Sequence, residues 1–198
     1  MYKITFALIL GIFTLIPMNG QNEITDIARE LSTQGRLSSR GILGQEAPEL
    51  QVDQWVDGNG EERKAPFLIE NHSGKTIVLY CFQAWCPGCH SRGLPSLKKM
   101  VNALDGNDDV VFAAIQTVFE GANANTYKRL LEIQKEFDLE IPFGHDPGDA
   151  SSRNISKTMR SYQTGGTPWF IIIEPSGKVV FNDFHLNVNK TINYLKGK

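Results

Sequence analysis

Two cysteines three residues apart, Cys86 and Cys89, lie in the run Trp85-Cys86-Pro87-Gly88-Cys89-His90 and are the residues best equipped for chemistry in this 198-residue chain. A close pair of thiols has few uses: exchange with another disulfide, a structural bridge, a pair of metal ligands, or thioether attachment of a prosthetic group. The run follows the apolar stretch Ile77 to Phe82 and precedes a stretch with Leu94, Leu97, Val101 and Leu104 at helical spacing. That order puts Cys86 at or just before a helix N-terminus, with Pro87 suited to the first turn. Unpaired backbone N–H groups there favour an anion, and a thiolate is that anion. Cys89 lies one turn deeper, near enough to close a disulfide. An exposed Cys86 that attacks and a shielded Cys89 that resolves is the division that dithiol exchange needs.

The other uses fit less well. A structural disulfide across two residues would remove little unfolded-state entropy, because that gain grows with loop length. Zinc would want a second pair of ligands, and Cys81, His72, His145 and His185 show no such spacing. Haem is the serious rival, since Cys86-Pro87-Gly88-Cys89-His90 reads as the C-x-x-C-H attachment pattern of c-type cytochromes. Against haem, the motif follows a buried strand and the C-terminal half is rich in strands. A peroxiredoxin would need Thr three residues before the reactive cysteine, where this chain has Gln83.

The elements that must position the pair can be read along the chain. Ile77 to Phe82, Val110 to Ile115 and Trp169 to Ile173 are continuous apolar runs, the mark of strands buried on both faces. Helical spacing recurs at Tyr127, Leu130, Leu131 and Phe137, and a last helix is expected over Val188 to Lys196. Glu174-Pro175-Ser176-Gly177 turns the third run into Val179-Val180-Phe181 as a hairpin. Leu50, Val52 and Val56 alternate as in a half-exposed strand. The expected order is strand, helix, strand, helix, strand, strand, helix: an α/β sheet with helices on both faces. Residues 21–44 read as a helix and a glycine- and serine-rich linker, and the domain proper is expected over 45–198.

Composition agrees with one globular domain, at 41% hydrophobic and 21% charged residues. Twenty basic residues against 22 acidic ones give no reason to expect a nucleic-acid partner. Residues 1–20 have the grammar of a signal peptide: Lys3, an apolar run from Ile4 to Ile16, then Pro17-Met18-Asn19-Gly20. The run is well short of the roughly 20 residues that span a bilayer. Export, to the periplasm, is therefore expected, with no stable membrane span after cleavage and in an oxidising compartment where a close cysteine pair can hold a disulfide.

The Trp-Cys-x-x-Cys junction between strand and helix, together with Gly165-Gly166-Thr167-Pro168-Trp169 and Pro175-Ser176-Gly177-Lys178, resembles the thioredoxin superfamily. The exported thiol-disulfide oxidoreductases of its redoxin, or TlpA-like, branch are the nearest likeness. Ala47-Pro48-Glu49-Leu50 resembles the opening motif of that branch, and Phe137 to Asp146 its proline-containing strand segment. The likeness covers about residues 45 to 185. It implies a thioredoxin-like fold with an N-terminal strand extension and a central mixed sheet flanked by helices. It also implies that Thr167-Pro168 is a cis-proline dipeptide facing the cysteines, and that Trp85, Thr167 and Pro168 bind substrate. The implied partners are protein disulfides or dithiols and an upstream redox protein, with no metal or organic cofactor.

Departures from the pattern matter as well. Where thioredoxins carry an acidic residue six positions before the first cysteine, this chain has Tyr80; where some relatives place a glutamate after the second, it has Arg92. A cation there would favour the thiolates and the reduced form. Pro87, Gly88, His90 and Arg92 are thus the residues expected to tune the pair. Trp85 and Trp169 are expected either as an apolar platform around the thiol or as ordinary core. Cys81, inside an apolar run, is expected to be a small core residue. A binding module with an inert disulfide remains the alternative from another functional class.

Overall fold

The computed structural model describes residues 18–197. Its centre is β2, Thr76–Phe82, seven residues with every side chain buried. Alternation along the strand sends Val78, Tyr80 and Phe82 to one face and Ile77, Leu79 and Cys81 to the other, each face joining a different apolar cluster. β3 (Val110–Thr117) and β4 (Phe143–Asp146) run parallel to β2, whereas β5 (Trp169–Ile173) pairs antiparallel on its other side. β6 (Val179–Asp183) and β1 (Gln54–Val56) form antiparallel edges, giving the order β1-β4-β3-β2-β5-β6. This is the expected mixed sheet flanked by helices.

The two faces are covered differently. Four helices close the first: α1 (Met18–Leu31), α2 (Leu94–Ala103), α3 (Tyr127–Glu136) and α5 (Val188–Lys196). The second is closed largely by irregular chain through Ile42, Leu50, Val52, Phe67 and Ile69, with Tyr162 from the end of the short α4 (Lys157–Ser161). Irregular backbone can cover a sheet when its polar groups find partners. Here Gly41 and Gly44 donate to Gln163 and Val179, and Tyr162 Oη donates to the Pro48 carbonyl at 2.6 Å.

Several expectations are changed by packing. The helix expected at the start of residues 21–44 begins at Met18 and buries Ile24, Ala28 and Leu31 in the first cluster. Residues 33–44 are bonded to the domain through Thr33, Gly41 and Gly44, not a free linker. β4 and α4 were absent from the element order derived by pattern. β4 reads Phe-Gly-His-Asp and lacks an apolar run, yet all four residues are buried. Gly144 is needed there because the Trp55 ring fills the space of a side chain. The strand expected from Leu50 is short, and Trp55 and Val56 are both buried because each face of this edge is covered.

Candidate active site

Cys86 lies where β2 has ended and a helix begins at Pro87. Its N–H donates to the Gln83 carbonyl at 3.1 Å, and its carbonyl accepts from Cys89 at 3.1 Å and His90 at 3.3 Å, so it caps the helix. The Cys89 N–H also lies 3.2 Å from Cys86 Sγ, which puts a helix-terminal donor on the sulfur as expected from sequence. All three cysteines are free thiols, and the Sγ atoms of Cys86 and Cys89 are 2.6 Å apart.

Cys86 is less open than expected, at 7% accessible, but Cys89 is fully enclosed at 0%. Burial, followed by the hydrogen bond that Cys89 donates to Cys86 Sγ, pushes the Cys89 thiol up to about 12. The backbone of Gln83 and the side chain of Thr167 oppose that shift. The pair is therefore asymmetric in access, and burial makes its inner member hard to ionise.

A wider helical turn sets the second thiol. Pro95 lacks the N–H that would reach the Ser91 carbonyl. Just ahead of it, Cys89–Gly93 adopt π spacing, and the Leu94 N–H reaches back to the Cys89 carbonyl. The Tyr80 hydroxyl, at 3.4 Å, points at that same carbonyl. Burial, with Cys89 the next contributor, holds the Tyr80 phenol well above its ordinary range, so it stays protonated as a donor. Gly93 is obligatory because a Cβ would overlap Tyr80 Oη and approach Pro168 Cβ to 2.9 Å. No sequence pattern singled out Gly93; the signal available was a glycine within an otherwise helical stretch.

The Thr167-Pro168 peptide is cis. Pairing of Cys81 with Trp169 brings the residues before β5 beside the chain leaving β2, and Cys86 Sγ lies 3.7 Å from the Thr167 carbonyl. Gly165 clears the way: a side chain there would meet Trp169 and Phe184. Trp169 itself belongs to the opposite face, fully buried, with its indole N–H on Asn182 Oδ1 and its ring edge-on to Phe184. It is core and takes no part in a platform. Trp85 is the exposed aromatic, 46% accessible, against Gly121.

His90 is half-buried, not freely exposed. Its Nε2–H donates to the Ala84 carbonyl at 2.7 Å and its ring meets Phe137 edge-on. An imidazole held this way fastens the helix to the preceding loop and does not offer that nitrogen to an axial metal position. Arg92 is exposed and makes no ion pair among the described residues.

Asn125, which no motif marked, secures the junction from the β3–α3 loop. Its Oδ1 accepts from the Ala84 N–H at 2.7 Å, and its Nδ2 lies 3.0–3.1 Å from Gln83 Oε1 and the carbonyls of Glu120 and Gly121. Cys81 is on the other face, and burial alone leads the causes that push its thiol far up.

The Redoxin family profile matches residues 43–193. The chain belongs to the redoxin family. Among solved structures, this redoxin is similar to a thioredoxin-like superfamily protein at 32% identity, with a TM-score of 0.65 over 77% of this chain and 97% of that one. A thiol-disulfide isomerase from Corynebacterium glutamicum is 27% identical, with a TM-score of 0.63 over 76% and 94% of the two chains. The thioredoxin domain of a thiol-disulfide oxidoreductase from Bacteroides vulgatus shares the fold at 18% identity and a TM-score of 0.56, over 78% and 95%. Comparison with curated proteins yields no match. The redoxin thus has the thioredoxin-like fold, in common with a solved structure described as a thiol-disulfide isomerase.

Proposed function

We propose that this redoxin exchanges the Cys86–Cys89 dithiol with disulfides of partner proteins. The observation that carries the reading is the pair of thiols at a helix start, one touching solvent and one enclosed, beside the cis Thr167-Pro168 peptide. In the reducing direction the Cys86 thiolate attacks one sulfur of a partner disulfide; a mixed disulfide forms and the partner's other sulfur leaves as a thiolate. Cys89 gives up its proton and attacks Cys86 Sγ, releasing the second partner thiolate and closing the Cys86–Cys89 disulfide. Two electrons pass to the partner, and the reverse sequence oxidises a partner dithiol. The Thr167 backbone holds the partner's extended segment by strand-like hydrogen bonds, which need no particular side chains. Trp85 supplies an apolar contact at the rim.

Residues 1–20 direct export to the periplasm in this reading. The apolar run lies outside the described residues; among those described, no helix is long and apolar enough to cross a membrane. The test of exchange is insulin reduction with dithiothreitol, comparing wild type with Cys86→Ser. Loss of activity on substitution supports the reading, and equal rates overturn it. Mass spectrometry of the protein from cell fractions tests export, with an N-terminus at Gln21 expected.

A further inference from the structure

A groove of about 740 Å³ opens on one side of the cysteine pair, floored by Thr167, Pro168 and Phe170 and walled by the start of α2 and the β6–α5 connection. Its ionisable lining is one-signed: Arg92, Lys99 and His185 face it, and no aspartate or glutamate does. Among the described residues Arg92 has no ion pair, and the Lys99 ammonium donates to the neutral amide oxygen of Asn189 at 2.8 Å without a carboxylate partner. Elsewhere on the same helix Lys98 is paired with Asp138 at 2.8 Å. The two cations are thus left without a carboxylate partner among the described residues, on a groove that shares Thr167 and Pro168 with the surroundings of the cysteine pair. The apolar floor suits an extended chain, and the unpaired cations suit its charge.

We infer that this groove selects partner polypeptides carrying Asp or Glu within a few residues of their reacting cysteine, with Arg92 and Lys99 receiving the carboxylates. The inference rests on the exchange reading above and adds the class of substrate to it. Attraction of this kind speeds encounter and weakens as salt screens it.

The test uses peptides whose single cysteine is joined to 2-thiopyridone, a neutral chromophore, with flanks of Glu, Ser or Lys on either side. Attack by Cys86 on the peptide sulfur releases thiopyridone; attack by Cys89 on Cys86 then releases the peptide thiol and closes the protein disulfide. We expect the best Glu-flanked peptide to react about tenfold faster than its Lys-flanked counterpart at low salt. The ratio should contract toward one in 0.5 M NaCl and invert in Arg92→Glu/Lys99→Glu. Lys128→Glu, a charge reversal on the distant α3, serves as control and should keep the preference. Equal rates for all flanks overturn the inference, as does the same inversion in Lys128→Glu, which would trace the effect to net charge. If no peptide releases thiopyridone faster than with Cys86→Ser, the exchange reading itself fails, a result distinct from either. Should the double variant misfold, the salt series on wild type decides alone.

Discussion

Cys81 and Cys89 are both wholly buried, and burial raises both thiols, yet they sit in opposite worlds on the two faces of one strand. Cys81 packs within the second apolar cluster, and after burial the Asp146 carboxylate is the next contributor to its raised thiol. Around Cys89 are a second sulfur at 2.6 Å, a helical turn wide enough to take the Tyr80 hydroxyl, and the Thr167 side chain. A buried thiol is inert or reactive according to whether a solvent-touching sulfur adjoins it, and burial by itself does not decide. The same contrast holds for the faces as a whole: helices and their polar termini build the site side, and packed irregular chain builds the other.

The largest effect expected from that contrast is on reactivity. Iodoacetamide should label Cys86 first in the reduced native protein and reach Cys81 only on unfolding, as followed by mass spectrometry of peptides. Cys89→Ser should trap the partner as a stable mixed disulfide on a gel, whereas Cys81→Ala should leave exchange rates unchanged and cost only about 1 kcal/mol of stability. Labelling of Cys81 as fast as Cys86 would break the comparison.

Next comes the close fit of helix to strand on the site face. Gly93→Ala should destabilise by about 1–3 kcal/mol through overpacking against Tyr80 and Pro168. Part of that loss should return in Gly93→Ala/Tyr80→Phe, because the phenolic oxygen is the nearest atom. Urea denaturation of the two variants and of Tyr80→Phe measures the coupling. Additive losses would show that the hydroxyl is not what the helix rests upon.

Asn125→Ala should cost about 1–3 kcal/mol, since it strands the buried Ala84 N–H. Its signature is local: faster amide exchange at Ala84, with the second face unchanged. The smallest effect is on pH dependence. Burial holds His145 on the site face and His72 on the other below the ordinary imidazole value. Below about pH 6.5 the unfolded chain therefore binds more protons than the folded one, and stability falls as pH falls, by at most about 1.4 kcal/mol per pH unit per group. Urea midpoints at pH 7.5 and 5.5 should draw closer together in His145→Gln.

Much of the fold was legible along the chain, for reasons visible in particular residues. β2 and β5 are apolar runs because both faces are covered, and α5 carries its apolar residues at helical spacing. β4 was illegible by pattern because Gly144, His145 and Asp146 are buried by partners remote in sequence: Trp55 over the glycine, Gln116 on the imidazole at 2.6 Å, and Ser156 on the carboxylate at 2.6 Å. Asn125 and Gly93 were hidden for the same reason, since their value depends on which backbone they meet.

By itself the order of residues determined that two thiols would stand at a strand-to-helix junction, because periodicity, a proline at the first turn and a three-residue spacing are local properties of the chain. Only tertiary structure decided which thiol is sealed, that Trp169 faces away from the site, and that Arg92 and Lys99 share a groove with the proline edge. Those outcomes depend on contacts between segments far apart in sequence, where burial and charge are set by neighbours that no local pattern names.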